Sequence, residues 1–238
     1  MWAYMAAGEA PGALRLGDHN DLELAGVAPN SLNIKNRRRV TAADAYLITN
    51  VLNRTNLALL MRYEAEHLTF MGQRASGVTA VHKGEIVTIQ GDQIVLSAGA
   101  IATFLLLMRS GIGDRATLAT AEIACRHALP GMGCNLQDHM LALGNLYAAK
   151  KPVPPSRLQH SESQMHLHSG DITRAKGAPD IVLACVVAPS VSDQFTAPPY
   201  GTAFTILTGM THPPVIDPRY LETEHDRITF RKALAIAR

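Results

Sequence analysis

The chain has 238 residues, 47% hydrophobic and 18% charged, with a formal net charge of +2. That length suits one large domain or two small ones, and the balance gives a real core and excludes a disordered chain. Near-neutral charge excludes an electrostatic case for nucleic acid or an anionic membrane, and Arg37-Arg38-Arg39 is too short a basic run to reverse that. The three cysteines, Cys125, Cys134 and Cys185, are widely spaced with no CxxC, which argues against a disulfide framework or zinc site. They are expected to be buried thiols in a reducing cytoplasm. The N-terminus lacks the basic and apolar regions of a signal peptide, and the longest apolar stretch, Ala98 to Met108, is too short to span a bilayer.

Residues 1–35, rich in Gly, Asn, Asp and Ala, read as loop. Thr41-Ala42-Ala43-Asp44 reads as a helix start, with Thr41 as cap and Asp44 at the capping-box position, and the helix is expected to run to about Asn50. A β-rich block follows. Leu57–Met61 is a short apolar run, and Ala65–Phe70 alternates as a strand does. Ala75–His82 and Glu85–Gln90 flank Lys83-Gly84, a hairpin turn. Gln93–Ser97 is apolar and β-branched, as in a strand buried on both faces. Ala98-Gly99-Ala100 then leads into a helix from Ile101 to Arg109, stopped by Ser110-Gly111-Ile112-Gly113. A strand, a glycine turn and a helix N-terminus together can present backbone amides to an anion or dinucleotide, although many such turns bind nothing. Beyond residue 140 the chain changes character. Lys150–Pro155 is a Pro-rich connector, Asp180–Ala188 and Thr202–Thr208 read as strands, and Glu224–Ala237 as an amphipathic helix.

Six segments, in order, resemble the glucose–methanol–choline (GMC) oxidoreductases. They are Arg38 to Leu47, Asn53 to Leu57, Arg74-Ala75-Ser76-Gly77-Val78, Ile94 to Gly113, Leu129-Pro130-Gly131-Met132-Gly133-Cys134-Asn135-Leu136-Gln137-Asp138-His139, and Val215 to Leu221. The resemblance implies a mixed α/β (α+β) fold: part of an FAD-binding Rossmann-like domain over 1–140, and part of a sheet-based substrate domain over 141–238. It implies hydride transfer from a small-molecule alcohol to FAD. It also implies that Ala98 and Gly99 lie near the adenosine moiety and that Ala65 meets the adenine through its backbone; small residues permit such an approach.

The departures from the family pattern are as informative. No G-x-G-x-x-G motif occurs in the chain, and the family's catalytic His segment is expected beyond Arg238, so no catalytic residue is assigned. His212-Pro213 runs directly into Pro214-Val215-Ile216-Asp217, which reads as an internal deletion. Phe104 stands where the family has a smaller residue or proline, an aromatic expected to repack the turn beside the cofactor. These departures imply a truncated chain, inactive alone. The alternatives are a non-catalytic remnant or interaction module, and one half of a split flavoenzyme completed by a complementing chain.

Asn135, Asp138 and His139 place an imidazole beside a carboxylate, an arrangement suited to acid–base chemistry, but the resemblance implies a structural role. His160, His166 and His168 invite a metal reading, because His-x-His on a strand points both rings to one side. No carboxylate or cysteine spacing completes such a site, so surface or packing histidines are expected and no metal is assigned.

Overall fold

The computed structural model describes residues 2–136, 138, 161–170, 179–186 and 216–237. In chain order the elements are α1 (Trp2–Glu9), β1 (Gly26–Pro29), β2 (Ile34–Lys35), β3 (Arg38–Arg39), α2 (Ala42–Tyr46), α3 (Thr49–Leu52), β4 (Glu64–Met71), β5 (Arg74–His82), β6 (Glu85–Gln90), α4 (Gly99–Arg109), β7 (Ile112–Gly113), α5 (Arg115–Thr120), β8 (His127–Ala128), β9 (Ser161–Leu167), β10 (Ile181–Val186) and α6 (Glu224–Ala237). Helices and strands are mixed and the sheets are open. The chain divides into two compact units: residues 1–51, 140–205 and 219–238 form one, and 52–139 with 206–218 the other.

The first unit is built on an antiparallel sheet in the order β1-β9-β10. Gly26 pairs with His166 and Pro29 with Ser163. Proline is tolerated there because β1 is an edge strand and Pro29 is its last residue. Ser163 and Met165 of β9 are buried on one face of the sheet. On that face α1 brings Met5 down onto Val27 and Met165. Gly8 lets the helix approach: a Cβ there would lie 3.1 Å from Met165 Sδ and 3.3 Å from Val27 Cβ. The Tyr4 hydroxyl donates to the Leu183 carbonyl oxygen at 2.7 Å. Burying a side chain such as Met5 or Val27 stabilises by about 1.5–3 kcal/mol. At the other end of the sheet α6 packs on β10. Thr223 and Asp226 cap α6 reciprocally, and Lys232 Nζ donates to the Ser169 carbonyl at 2.6 Å.

Two departures from the sequence reading fall in this unit. The first 35 residues are not simply loop, since they contain α1 and β1. Ala3, Ala6 and Ala7 are strong helix formers, while β1 exists through pairing with a strand far along the chain, which local composition does not reveal. The Thr41–Asp44 capping box forms as read: Asp44 N–H donates to Thr41 Oγ1 at 3.1 Å and Thr41 N–H to Asp44 Oδ2 at 2.9 Å. The helix behind it is broken, however, with α2 ending at Tyr46 and α3 resuming at Thr49.

The second unit holds the meander β4-β5-β6. Lys83 and Gly84 have φ of 53° and 85°, the doubly positive pair that tight hairpins require. α4 packs against β4. Ser110 Oγ donates to Leu106 O at 2.6 Å and accepts from Leu68 N–H at 2.8 Å, which fastens the end of the helix to the strand. Beyond α4, β7 pairs in parallel with β8 through α5, and Leu118 is buried there. Gly111 (φ 80°) and Gly133 (φ 75°) are needed for packing: a Cβ on Gly111 would lie 2.6 Å from Ala124 O, and one on Gly133 2.7 Å from Met108 Cε.

Gln93–Ser97 forms no strand, and Val95 is 85% exposed. A strand buried on both faces needs neighbours on its edges, and none of the described residues pairs with this run. Leu57–Met61 likewise has no regular structure. The expected segments Lys150–Pro155 and Thr202–Thr208 lie outside the described residues.

Candidate functional site

The corner between the 93–97 run and α4 carries the first two candidate residues. Ala98 occupies the cap position with φ −84° and ψ 10°, and no side chain caps the helix. Its N–H instead donates to Thr103 Oγ1 at 3.1 Å. Gly99 has φ 88°, and a Cβ there would meet nothing within 4 Å. Glycine is therefore required by backbone conformation and not by crowding. Both residues are exposed, and the first turn of α4 contains no acidic side chain. Such a helix start offers unsatisfied N–H groups and the positive end of the helix dipole, which together attract an anion.

Ala65 is exposed on β4, opposite Ala80, where the strand register slips between Ala65 and His67. The slip leaves Glu66 as the extra residue of a bulge. Glu66 and His67, with Arg109 and Ile123, line an open groove of about 320 Å³. The tie between β4 and α4 lies at the C-terminal end of the helix, about 16 Å along it from Gly99 at 1.5 Å per residue. Ala98 and Gly99 thus share one corner, and Ala65 stands on the strand against which the same helix packs. The groove was missed in the sequence because a bulge leaves no residue signature of its own.

The remaining candidates divide. Asn135 has φ 58°, the left-handed conformation of a turn, and Asp138 is exposed. His139 and His160 lie outside the described residues. His168 is exposed, whereas His166 stacks on His19 with ring centroids 3.9 Å apart and 22° between planes. Burial, followed by the neighbouring His19, holds the His166 imidazole below its ordinary value of 6.5, with an opposing hydrogen bond at the Leu24 main chain. No sequence signal pointed to His19, which sits in the loop before β1. Among the described residues no group of three His, Cys, Asp or Glu side chains is placed to hold a metal ion.

One further expectation is corrected. Cys134 is exposed and Cys125 only half-buried, both as free thiols, because Cys134 follows Gly133 into a surface turn; the Cys185 side chain lies outside the description. Phe104 is 39% exposed on α4. Among the described residues, no helix is long and apolar enough to cross a membrane.

Comparison with known proteins agrees with the six motifs. A family profile described as GMC oxidoreductase matches residues 4–141. Pyridoxine 4-oxidase of Microbacterium luteolum is 44% identical over 99% of this chain and 50% of its own length. An oxygen-dependent choline dehydrogenase of Staphylococcus saprophyticus is 36% identical over 63% of this chain and 27% of its own. The crystal structure of pyridoxine 4-oxidase from Mesorbium loti superposes with a TM-score of 0.84 at 43% identity, covering 99% of this chain and 49% of that one. The chain thus spans about half the length of the pyridoxine 4-oxidases it matches, and it belongs to the GMC oxidoreductase family.

Proposed function

We propose that this chain is part of an FAD-dependent oxidoreductase acting on the CH–OH group of a small-molecule alcohol. In this reading residues 1–140 contribute to the flavin domain and 141–238 to the substrate domain. Ala65, Ala98 and Gly99 lie along the adenosine part of FAD, and the open N-terminus of α4 faces its negative charge. The observation that carries the reading is the uncapped, acid-free Ala98–Gly99 corner in a chain of this family. Bound FAD supplies the hydride acceptor. The residues named here position it and take no part in proton removal. The substrate proposed is pyridoxine, because the relatives at 44% and 43% identity carry that name and cover nearly the whole chain.

The 238 residues alone are proposed to be inactive, because no G-x-G-x-x-G loop is present to receive the pyrophosphate. The test is to mix the purified chain with FAD, remove the excess and record the visible spectrum. Loss of the flavin on desalting supports the proposal, and restoration by a chain bearing the glycine motif identifies the split-enzyme form. Stoichiometric retention with pyridoxine-dependent bleaching of the flavin band overturns the claim of inactivity.

A further inference from the structure

The sheet β1-β9-β10 has a second face, opposite α1, and a histidine pair sits on it. Gln164 and His166 alternate with the buried Ser163 and Met165, so they point away from the α1 core. The loop of residues 17–25 lies against them. His19 Nε2 donates to the Gln164 carbonyl at 3.1 Å, and its ring stacks on His166. The Leu24 main chain contacts His166 as well. One imidazole on the sheet therefore touches the loop at two points. The neighbouring backbone fixes the loop's roots: Leu16 N–H donates to Val27 O at 2.9 Å and Val27 N–H to Leu14 O at 2.8 Å.

We propose that the His19–His166 stack is a proton-operated latch, which holds the 17–25 loop against the sheet at neutral pH and releases it in mild acid. The Gln164 side-chain nitrogen, a donor, faces His166 Nε2 at 3.0 Å, so the neutral ring accepts there. A proton added to that nitrogen opposes two donors, and the Gln164 amide must turn or the ring must leave. The same proton places positive charge against the His19 ring, 3.9 Å away. The closed loop also buries one polar atom of its own without a partner, His19 Nδ1. Unsatisfied buried groups cost about 1–3 kcal/mol each, so the closed state has little reserve against a further penalty.

Among the described residues no carboxylate forms an ion pair with His166, although the three carboxylates of the loop keep their charge while hydrogen-bonded. β1 contributes Gly26 and Ala28, and β10 contributes Val182 and Ala184, opposite His166 and Gln164. In the loop, Asp18 is held by Asn20 and Ser31, Asp21 by the Leu22 N–H, and Glu23 by the Ala25 N–H. Arg15 pairs with Glu9 at 3.3 Å. On β9 itself, Glu162 shares the face two residues beyond Gln164, and the exposed His168 follows the strand.

The experiment is hydrogen–deuterium exchange of the whole chain at about pH 5 and about pH 8, the span over which histidine changes charge, corrected for intrinsic rates. Exchange in residues 17–25 is expected to rise in acid by about tenfold for each unit by which the His166 pKa is lowered, while β4–β6 stay protected. His166→Phe keeps a ring for stacking and removes the proton, so its loop should show no pH dependence. Unchanged loop protection in the wild type overturns the latch, as does acid exposure of β4–β6 in step with the loop, or a His166→Phe loop that still opens in acid. Should His166→Phe fail to fold, the titration of His166 followed by NMR in the wild type decides. A midpoint below 6.5 accompanying loop release supports the latch, and a midpoint at or above it overturns it.

Discussion

A Cβ placed on Gly77 would lie 2.5 Å from the carbonyl oxygen of Ile89 and 2.8 Å from Thr69 Oγ1. The glycine of the Arg-Ala-Ser-Gly-Val motif is therefore what lets the middle strand of the meander fit between its neighbours. Gly77→Ala forces β5 away from β6, and the expected cost is about 1–3 kcal/mol of stability, the range for overpacking. Urea unfolding followed by a probe in residues 64–90 checks this, and a variant as stable as the wild type sinks it.

Met5 is 1% exposed and joins Val27 and Met165 in the core of the first unit. Met5→Ala removes most of that contact and leaves a cavity beneath α1. The expected loss is about 2–5 kcal/mol. Exchange protection of β1, β9 and β10 should fall while that of β4–β6 is retained.

The chain should show an acid limb separate from the histidine one. Asp44 and Asp114 both have carboxyls held below the ordinary 3.8, chiefly by the backbone N–H of Thr41 and of Thr117 respectively. A carboxyl whose folded value is depressed contributes stability that is present above its unfolded value and lost as pH falls through the folded one. This limb therefore begins below about pH 3.8. The His166 contribution is likewise present above its ordinary 6.5 and starts to be lost below it. A melting-temperature profile against pH should show two steps in wild type. Thr41→Val with Asp114→Asn should reduce the lower one without moving the upper.

Ala98 is exposed at the start of α4, so Ala98→Glu should leave thermal stability unchanged. It sets a negative charge where the proposed function places FAD. Equilibrium FAD binding, read by fluorescence quenching at high protein concentration, is expected to weaken about tenfold, equivalent to about 1.4 kcal/mol. Equal affinities for variant and wild type would separate this corner from the cofactor.

What was legible in the sequence was local. Lys83-Gly84 marks its hairpin because only a few residue pairs adopt two positive φ values in succession. Thr41 and Asp44 mark their cap because both bonds close within one turn. Glu224–Ala237 marks α6 by its period. The turn at Ala98-Gly99 was legible for the same reason, since a turn into a helix is encoded where it occurs, while its assignment to FAD came from the family resemblance. Gln93–Ser97 misled because its residues describe the burial they would suit and not the neighbours that must supply it. β1 was hidden because its partner β9 lies more than a hundred residues away. His19 had no signal at all, because what makes it notable is a ring reached only through that pairing.

The long reach from β1 to β9 also sets an order of events during synthesis. The meander is complete in sequence once Gln90 has been made, since β4, β5 and β6 are joined by short turns. The other sheet must wait until Val186 has left the ribosome, with Gly26–Pro29 held in an unpaired state meanwhile. Non-local pairing forms slowly because the intervening loop must be closed first. The first unit therefore begins to be made before the second and completes its sheet after it, which leaves the α1–β1 segment open to chaperones and to misassociation on the way.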